Sequence, residues 1–366
     1  MSTSSMTSAH DTYSKTTRFG CLDGLRALAV LAVVWHHSPA GRGISGWPAS
    51  WRGYLGVDLF FVISGFLITT LLLRERDRRG QIAVGAFLAR RALRLFPLYY
   101  LLLASFAIYL GVLAPDAPMA GAFFQDLPYY ATYTSNWIHA STFLVLTWSL
   151  AAEEQFYLLW APALRVLGDQ ARLLAWFTLA AGLAVTFAPA DELFARLFGA
   201  DFRELDMVQA TFNPIALGCL AAWWLHSPRG HERALALLGS RLAAPAAALA
   251  VVLAASVPEP EPLRYGRPVV QLFMTGLVVS VVLRERNGLA SILRIRPLVH
   301  LGSVSYGVYL LHMVTLQGVR PLAEEAGLHP TALFGLNAGA AWLAASVSYS
   351  LLERPFLGLK ERFRPA

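Results

Sequence analysis

Two cysteines in 366 residues, Cys21 and Cys219, are too few for a disulfide framework or a thiolate zinc site, and neither is expected. Charge is equally scarce. Asp, Glu, Lys and Arg make up 14% of the chain, against about 25% in an ordinary soluble domain. No metal, P-loop, dinucleotide or Gly-x-Ser-x-Gly signature stands at a credible place, which leaves the common soluble chemistries without support. No internal repeat is visible, so the inverted-repeat plan of many transporters is not supported either. A cleavable signal is also missing: residues 1–20 are polar and rich in Ser and Thr, and the first apolar run carries charge where a small-residue cleavage site would stand.

What the chain does have is apolar sequence, 56% of its residues. Stretches long enough to span a bilayer, or nearly so, fall at about 22–38, 56–73, 95–113, 144–164, 173–189, 207–225, 242–257, 266–283, 298–318 and 331–352. The expected fold is therefore all-α, a polytopic integral membrane helix bundle of about ten transmembrane helices. Lys and Arg fix its orientation. With the N-terminus inside, 22 lie on the cytoplasmic side and 7 outside, which places both termini and both cysteines at the cytoplasmic face. The net charge of +7 is this positive-inside bias, and no nucleic-acid partner is expected. The divisions expected are a polar tail over 1–20, a transmembrane domain over 21–356 and a basic tail over 357–366. No soluble catalytic domain is expected after the last span, so any chemistry belongs to the helices. The segment from Pro115 to Ser141 reads as an external loop whose Tyr129, Tyr130, Tyr133 and Trp137 suit the headgroup level or an acceptor surface. His10, His226, His231 and His300 read as tail or surface residues.

Five local patterns hold polar residues in apolar surroundings. In LDGLRALAVLAVVWHHS, residues 22–38, Arg26 and His37 are costly to insert and so mark a candidate site. Eleven steps of about 100° bring them to nearly one helix face, about 16 Å apart along the axis. Arg26 can bind a phosphate, or snorkel to the interface and pair with Asp23. In GVDLFFVISGFLIT, residues 56–69, Ser64 and Gly65 let helices approach closely. Asp58 there either orients a histidine or serves as a helix N-terminal acid. In RRALRLFPLYY, Arg91 and Arg94 share a helix face and can converge on phosphates, although with Arg74, Arg76, Arg78, Arg79 and Arg90 they equally suit anionic lipid. In TWSLAAEEQFYL, residues 147–158, Glu153 and Glu154 are adjacent and should face different surroundings, with Glu153 on the face of Tyr157. In LGSVSYGVYLLH, residues 301–312, Tyr306, Tyr309 and His312 can donate to a developing oxyanion or serve hydrogen-bonded packing. The terminal LERPF puts Glu353 at the cytoplasmic boundary.

In this order, from about residue 21 to 356, the patterns resemble membrane-bound acyltransferase family 3, whose members O-acylate glycans, cell-envelope polymers and small molecules. The resemblance implies transfer of an acyl group, most simply acetyl, from cytoplasmic acyl-coenzyme A to a hydroxyl of a cell-envelope glycan, without a metal. It assigns Arg26 and His37 to the essential pair, with His37 the general base. It also implies donor phosphate at Arg91, Arg94 and Arg26, and support from Glu153, which would hold the tautomer or stabilise the cation of His37. Asp58, Tyr157, Tyr306 and His312 are the candidate substrate-binding residues. The implied setting is a multi-pass protein of the inner (plasma) membrane, in contact with lipids, acyl-coenzyme A and a hydroxyl-bearing acceptor. Two rival readings are an acyltransferase for an antibiotic or other secondary metabolite, and a proton-coupled transporter or flippase.

Overall fold

The computed structural model describes residues 3–43, 48–138, 143–187, 205–258 and 266–363. Every regular element among them is helical. The chain divides into two compact units, Met1–Gln81 with Leu167–Ser303, and Ile82–Val166 with Val304–Ala366.

In the first unit the Leu55–Arg79 helix is central, with 78% of its apolar window buried. Its neighbours include Gly20–His37, Leu205–His226 and Arg267–Leu283. Glycine sets how closely they pass. A Cβ on Gly65 would run into the carbonyl oxygen of Ile215, and one on Gly218 into that of Val62. The close approach expected at Gly65 thus has a definite partner, the backbone of the Leu205–His226 helix. A continuous cluster including Leu25, Leu59, Ile63, Phe66, Leu225, Val278 and Leu293 fills the unit.

The N-terminal tail is not featureless, since Thr3–Lys15 forms a helix. Arg74 donates to the carbonyls of Tyr13 and Thr16 and so satisfies the end of this helix. His231 is not a surface residue. It is 2% exposed, packed against the rings of His10 and Tyr13, while His226 Nε2 lies 3.1 Å from Asp77 Oδ2. The local sequence is polar enough to suggest a loop, but the tail helix covers it.

The second unit contains Val84–Ile108, Ala120–Ala131, Thr147–Leu167, Ser305–Glu325 and Pro330–Ser348. Val84–Ile108 continues through a widened π turn at Tyr109–Leu113, as Pro330–Ser348 does at Tyr349–Glu353. Tyr130 and Tyr133, expected at the headgroup level, are buried at 0% and 8% exposure. Tyr133 stacks on Tyr99 with ring centroids 4.3 Å apart. Tyr129 and Trp137 remain exposed.

Each of the ten apolar stretches meets a described helix, although positions 188 and 189 lie outside the described residues. Among the described residues, three helices can by length and composition cross a membrane: Leu55–Arg79, Val84–Leu113 and Pro330–Gly358. The number rises to six if three pairs of adjoining helices each count as one broken span. Large apolar side chains such as Val112, Leu159 and Phe177 are more than 70% exposed, as suits surfaces that lipid covers.

Candidate active-site residues

The Gly20–His37 helix runs unbroken from Arg26 to His37. It stops at Ser38, whose hydroxyl donates to Trp35 O at 2.7 Å, and Pro39 follows, which disfavours another helical residue before it. Both predicted residues therefore belong to one rigid element. Arg26 lies 3.6 Å from Asp23 Oδ1, and Asp23 also holds Arg18 at 2.7 Å.

His37 Nδ1 stands 3.0 Å from Val33 O. A carbonyl can only accept, so Nδ1 carries a proton in this bond. The tautomer is thus set by the helix that carries the histidine. Next to it, His36 Nδ1 donates to Trp51 O at 2.9 Å, and the two imidazoles meet edge to face with centroids 5.1 Å apart.

Asp58 is completely buried. Arg267 holds it with two bonds of 2.8 Å, and Gln271 Nε2 adds a third at 3.0 Å. The Arg267 guanidinium also lies 5.4 Å from the Tyr54 ring centroid, and Tyr54 meets His36 with centroids 5.5 Å apart. Sequence reasoning missed Arg267 and Gln271. The one available signal was an arginine followed by Pro268 at the start of an apolar helix; its partner lies 209 residues away.

In the second unit Glu153 and Glu154 do not face separate surroundings, contrary to expectation. Both reach Arg91: Nε and Nη2 bond Glu154 Oε1 at 3.1 and 2.8 Å, and Nη2 lies 3.8 Å from Glu153 Oε1. A guanidinium is long and forked enough to span two carboxylates that leave the helix about 100° apart. Tyr157 completes the cluster. Its hydroxyl donates to Glu153, and its ring lies 3.7 Å from the Arg91 guanidinium carbon. Arg91 is thereby tied into a buried network, whereas Arg94, one turn on, has no part in that cluster of acids.

The fifth motif is hydrogen-bonded within its unit. Tyr306 Oη donates to Leu95 O at 2.7 Å. Tyr309 Oη donates to Leu146 O at 2.9 Å and shares a 2.7 Å bond with Ser149 Oγ. His312, fully buried, donates from Nδ1 to Tyr309 O at 2.6 Å. Among the described residues no group of three or more His, Cys, Asp or Glu side chains is arranged to hold a metal.

These features describe a helical membrane protein that carries an arginine and a histidine on one helix. Residues 19–351 match the family described as "Acyltransferase domain", and the chain belongs to that family. It is 28% identical to the peptidoglycan O-acetyltransferase OatA of Listeria monocytogenes, over 93% of this chain and 57% of that protein. It is 27% identical to the O-acetyltransferase OatA of Staphylococcus aureus, over 91% of this chain and 56% of that protein. The chain thus spans somewhat over half the length of these curated relatives. No solved structure matches it.

Proposed function

We propose that the protein O-acetylates a hydroxyl of a cell-envelope glycan, with acyl-coenzyme A as the cytoplasmic donor. Family membership and the O-acetyltransferase relatives support the reaction class. The observation that supports the mechanism is the bond of His37 Nδ1 to Val33 O, which in this reading assigns proton acceptance to Nε2. In this reading Nε2 takes the proton of the acceptor hydroxyl as its oxygen attacks the thioester carbonyl. The C–S bond then breaks, and the departing thiolate takes that proton back.

Arg94 binds donor phosphate in this scheme, and Arg91 keeps the Val84–Ile108 helix in register through Glu153, Glu154 and Tyr157. Asp58 acts through Arg267, and Tyr306 ties the Ser305–Glu325 helix to Leu95 O. The protein works as a multi-pass component of the inner membrane with both termini cytoplasmic, the orientation that puts Arg26 toward the donor.

The test supplies acetyl-labelled coenzyme A to membranes with and without the protein and follows label into glycan. Replacing His37 by Ala should lower transfer by about a hundredfold or more at unchanged expression and thermal stability. Near-normal transfer by that variant would remove His37 from the mechanism. Transfer to a small cytoplasmic molecule in place of glycan would overturn the acceptor.

A further inference from the structure

In the second unit, the end of the Ala120–Ala131 helix and the loop after it are tied down carbonyl by carbonyl. The carbonyls of Pro128, Tyr129, Tyr130, Ala131 and Tyr133 accept in turn from Thr132 N, Thr134 N, Tyr99 Oη, Tyr100 Oη and Gln155 Nε2, at 2.7–3.1 Å. Gln155 is the hub of this loop. Its amide also donates to Asn136 Oδ1 at 2.8 Å and accepts from Asn136 Nδ2 and Trp137 Nε1, both at 3.2 Å. Both of its N–H bonds and both lone pairs are thereby committed.

Tyr133 departs from this pattern twice. It is the one non-glycine residue at positive φ among the described residues, 55°, a left-handed conformation that strains a bulky side chain. Its hydroxyl is buried with no hydrogen-bond partner among those residues. Stacking on Tyr99 keeps the ring in place. A loop that satisfies the carbonyls around one phenol, yet strains its backbone and leaves its hydroxyl unmet, costs stability on both counts. Phe96 and Tyr100, with centroids 5.3 and 6.2 Å from the Tyr133 ring, are each more than a third exposed. The phenol therefore lies one side chain beneath the surface.

We propose that the Tyr133 hydroxyl is a substrate contact, donating to an oxygen of the sugar that the protein acetylates. The proposal rests on the glycan-acceptor reading above. Residues 115–141 contain no Lys or Arg, so this loop suits a neutral sugar better than the phosphates of a donor. Exposed rings beside a buried polar group offer an apolar face and a hydrogen bond together, which matches the two sides of a sugar ring. A phenol keeps its proton at neutral pH, so it serves as a donor and not as a base.

The test uses the full chain in phosphatidylcholine nanodiscs, with soluble peptidoglycan fragments as the probe. Calorimetry reads their binding without donor, and acetyl-labelled coenzyme A reads transfer to them. Tyr133→Phe keeps the ring and removes only the unmet hydroxyl. Its thermal midpoint should equal or exceed that of wild type, because an unsatisfied buried group is gone. Affinity for the fragments should nevertheless fall about three- to tenfold, with a matching rise in their KM and none in the KM of acetyl-coenzyme A. A hydroxyl that only supports the fold cannot separate stability from binding in this way. A lowered midpoint, wild-type affinity for the fragments, or a rise confined to the KM of acetyl-coenzyme A would each overturn the inference. If the fragments bind, lose affinity in Tyr133→Phe and receive no label, the contact stands and the acetyl-transfer reading fails. If wild type and variant label them with equal kinetics, the transfer reading stands and the contact fails. Wild type that neither binds nor labels the fragments overturns both.

Discussion

The two units are held together by different means. In the first, glycines let helix backbones touch, and the central span is 78% buried in apolar surroundings. In the second, the two long apolar helices bury only 33% and 22% of their spanning windows, and the interior is tied by Arg91, Glu153, Glu154, Tyr157, Ser149 and Tyr309. Close backbone packing makes the first unit a stiff mount for the His37 helix. A polar network gives the second unit specific hydrogen-bond geometry where apolar burial is sparse, and makes it sensitive to loss of any one partner.

The largest test of that contrast is Arg91→Met, which leaves two carboxylates in the interior without their cation. It should destabilise the protein by about 3–5 kcal/mol, read as a lower thermal midpoint in detergent. An unchanged midpoint would mean that the network is not what holds the second unit. Gly65→Ala probes the other regime. Its Cβ meets a backbone oxygen that cannot rotate away, so a loss of about 1–3 kcal/mol is expected from the same measurement. Wild-type stability there would show that the helices can separate at little cost.

Tyr309→Phe removes one hydroxyl from the second unit while keeping its ring. About 0.5–1.5 kcal/mol should be lost, and a double-mutant cycle with Ser149→Ala should show coupling if the bond contributes as drawn. The smallest effect belongs to the exposed pair Arg76–Asp169 of the first unit, 2.7 Å apart. The Arg76 guanidinium holds the Asp169 carboxyl below its ordinary value of 3.8. Its contribution is therefore complete above that value and lost as pH falls through the lower folded one. Because Asp169 is solvated, Asp169→Asn should cost less than about 1 kcal/mol at neutral pH. Acid unfolding curves of the two proteins should converge at low pH; a constant gap would place the effect elsewhere.

The residues that were read correctly from sequence depend on local geometry. Arg26 and His37 lie on one helix because eleven apolar-flanked positions without a breaker form one, and Pro39 stops it. Gly65 marks a close approach because a missing side chain has few other uses in an apolar span. The misreadings involve partners. Adjacent acids were assigned to different surroundings from helix angles, yet a long guanidinium joins them. His231 was placed on the surface because nothing local says that residues 3–15 will cover it. The basic tail expected over 357–366 includes a helical turn, Leu359–Phe363, held by Arg90 through Phe363 O.

Sequence alone determined that the chain is helical, where its apolar stretches lie, which helices carry ionisable groups and to which family it belongs. Those properties follow from hydrophobic runs, turn residues and spacings within about twenty positions. Tertiary structure alone decided that Asp58 would meet Arg267 across 209 positions and that Arg91 would be claimed by Glu154 across 63. A buried charge must find a partner wherever the fold brings one, and no local pattern encodes which distant segment that is.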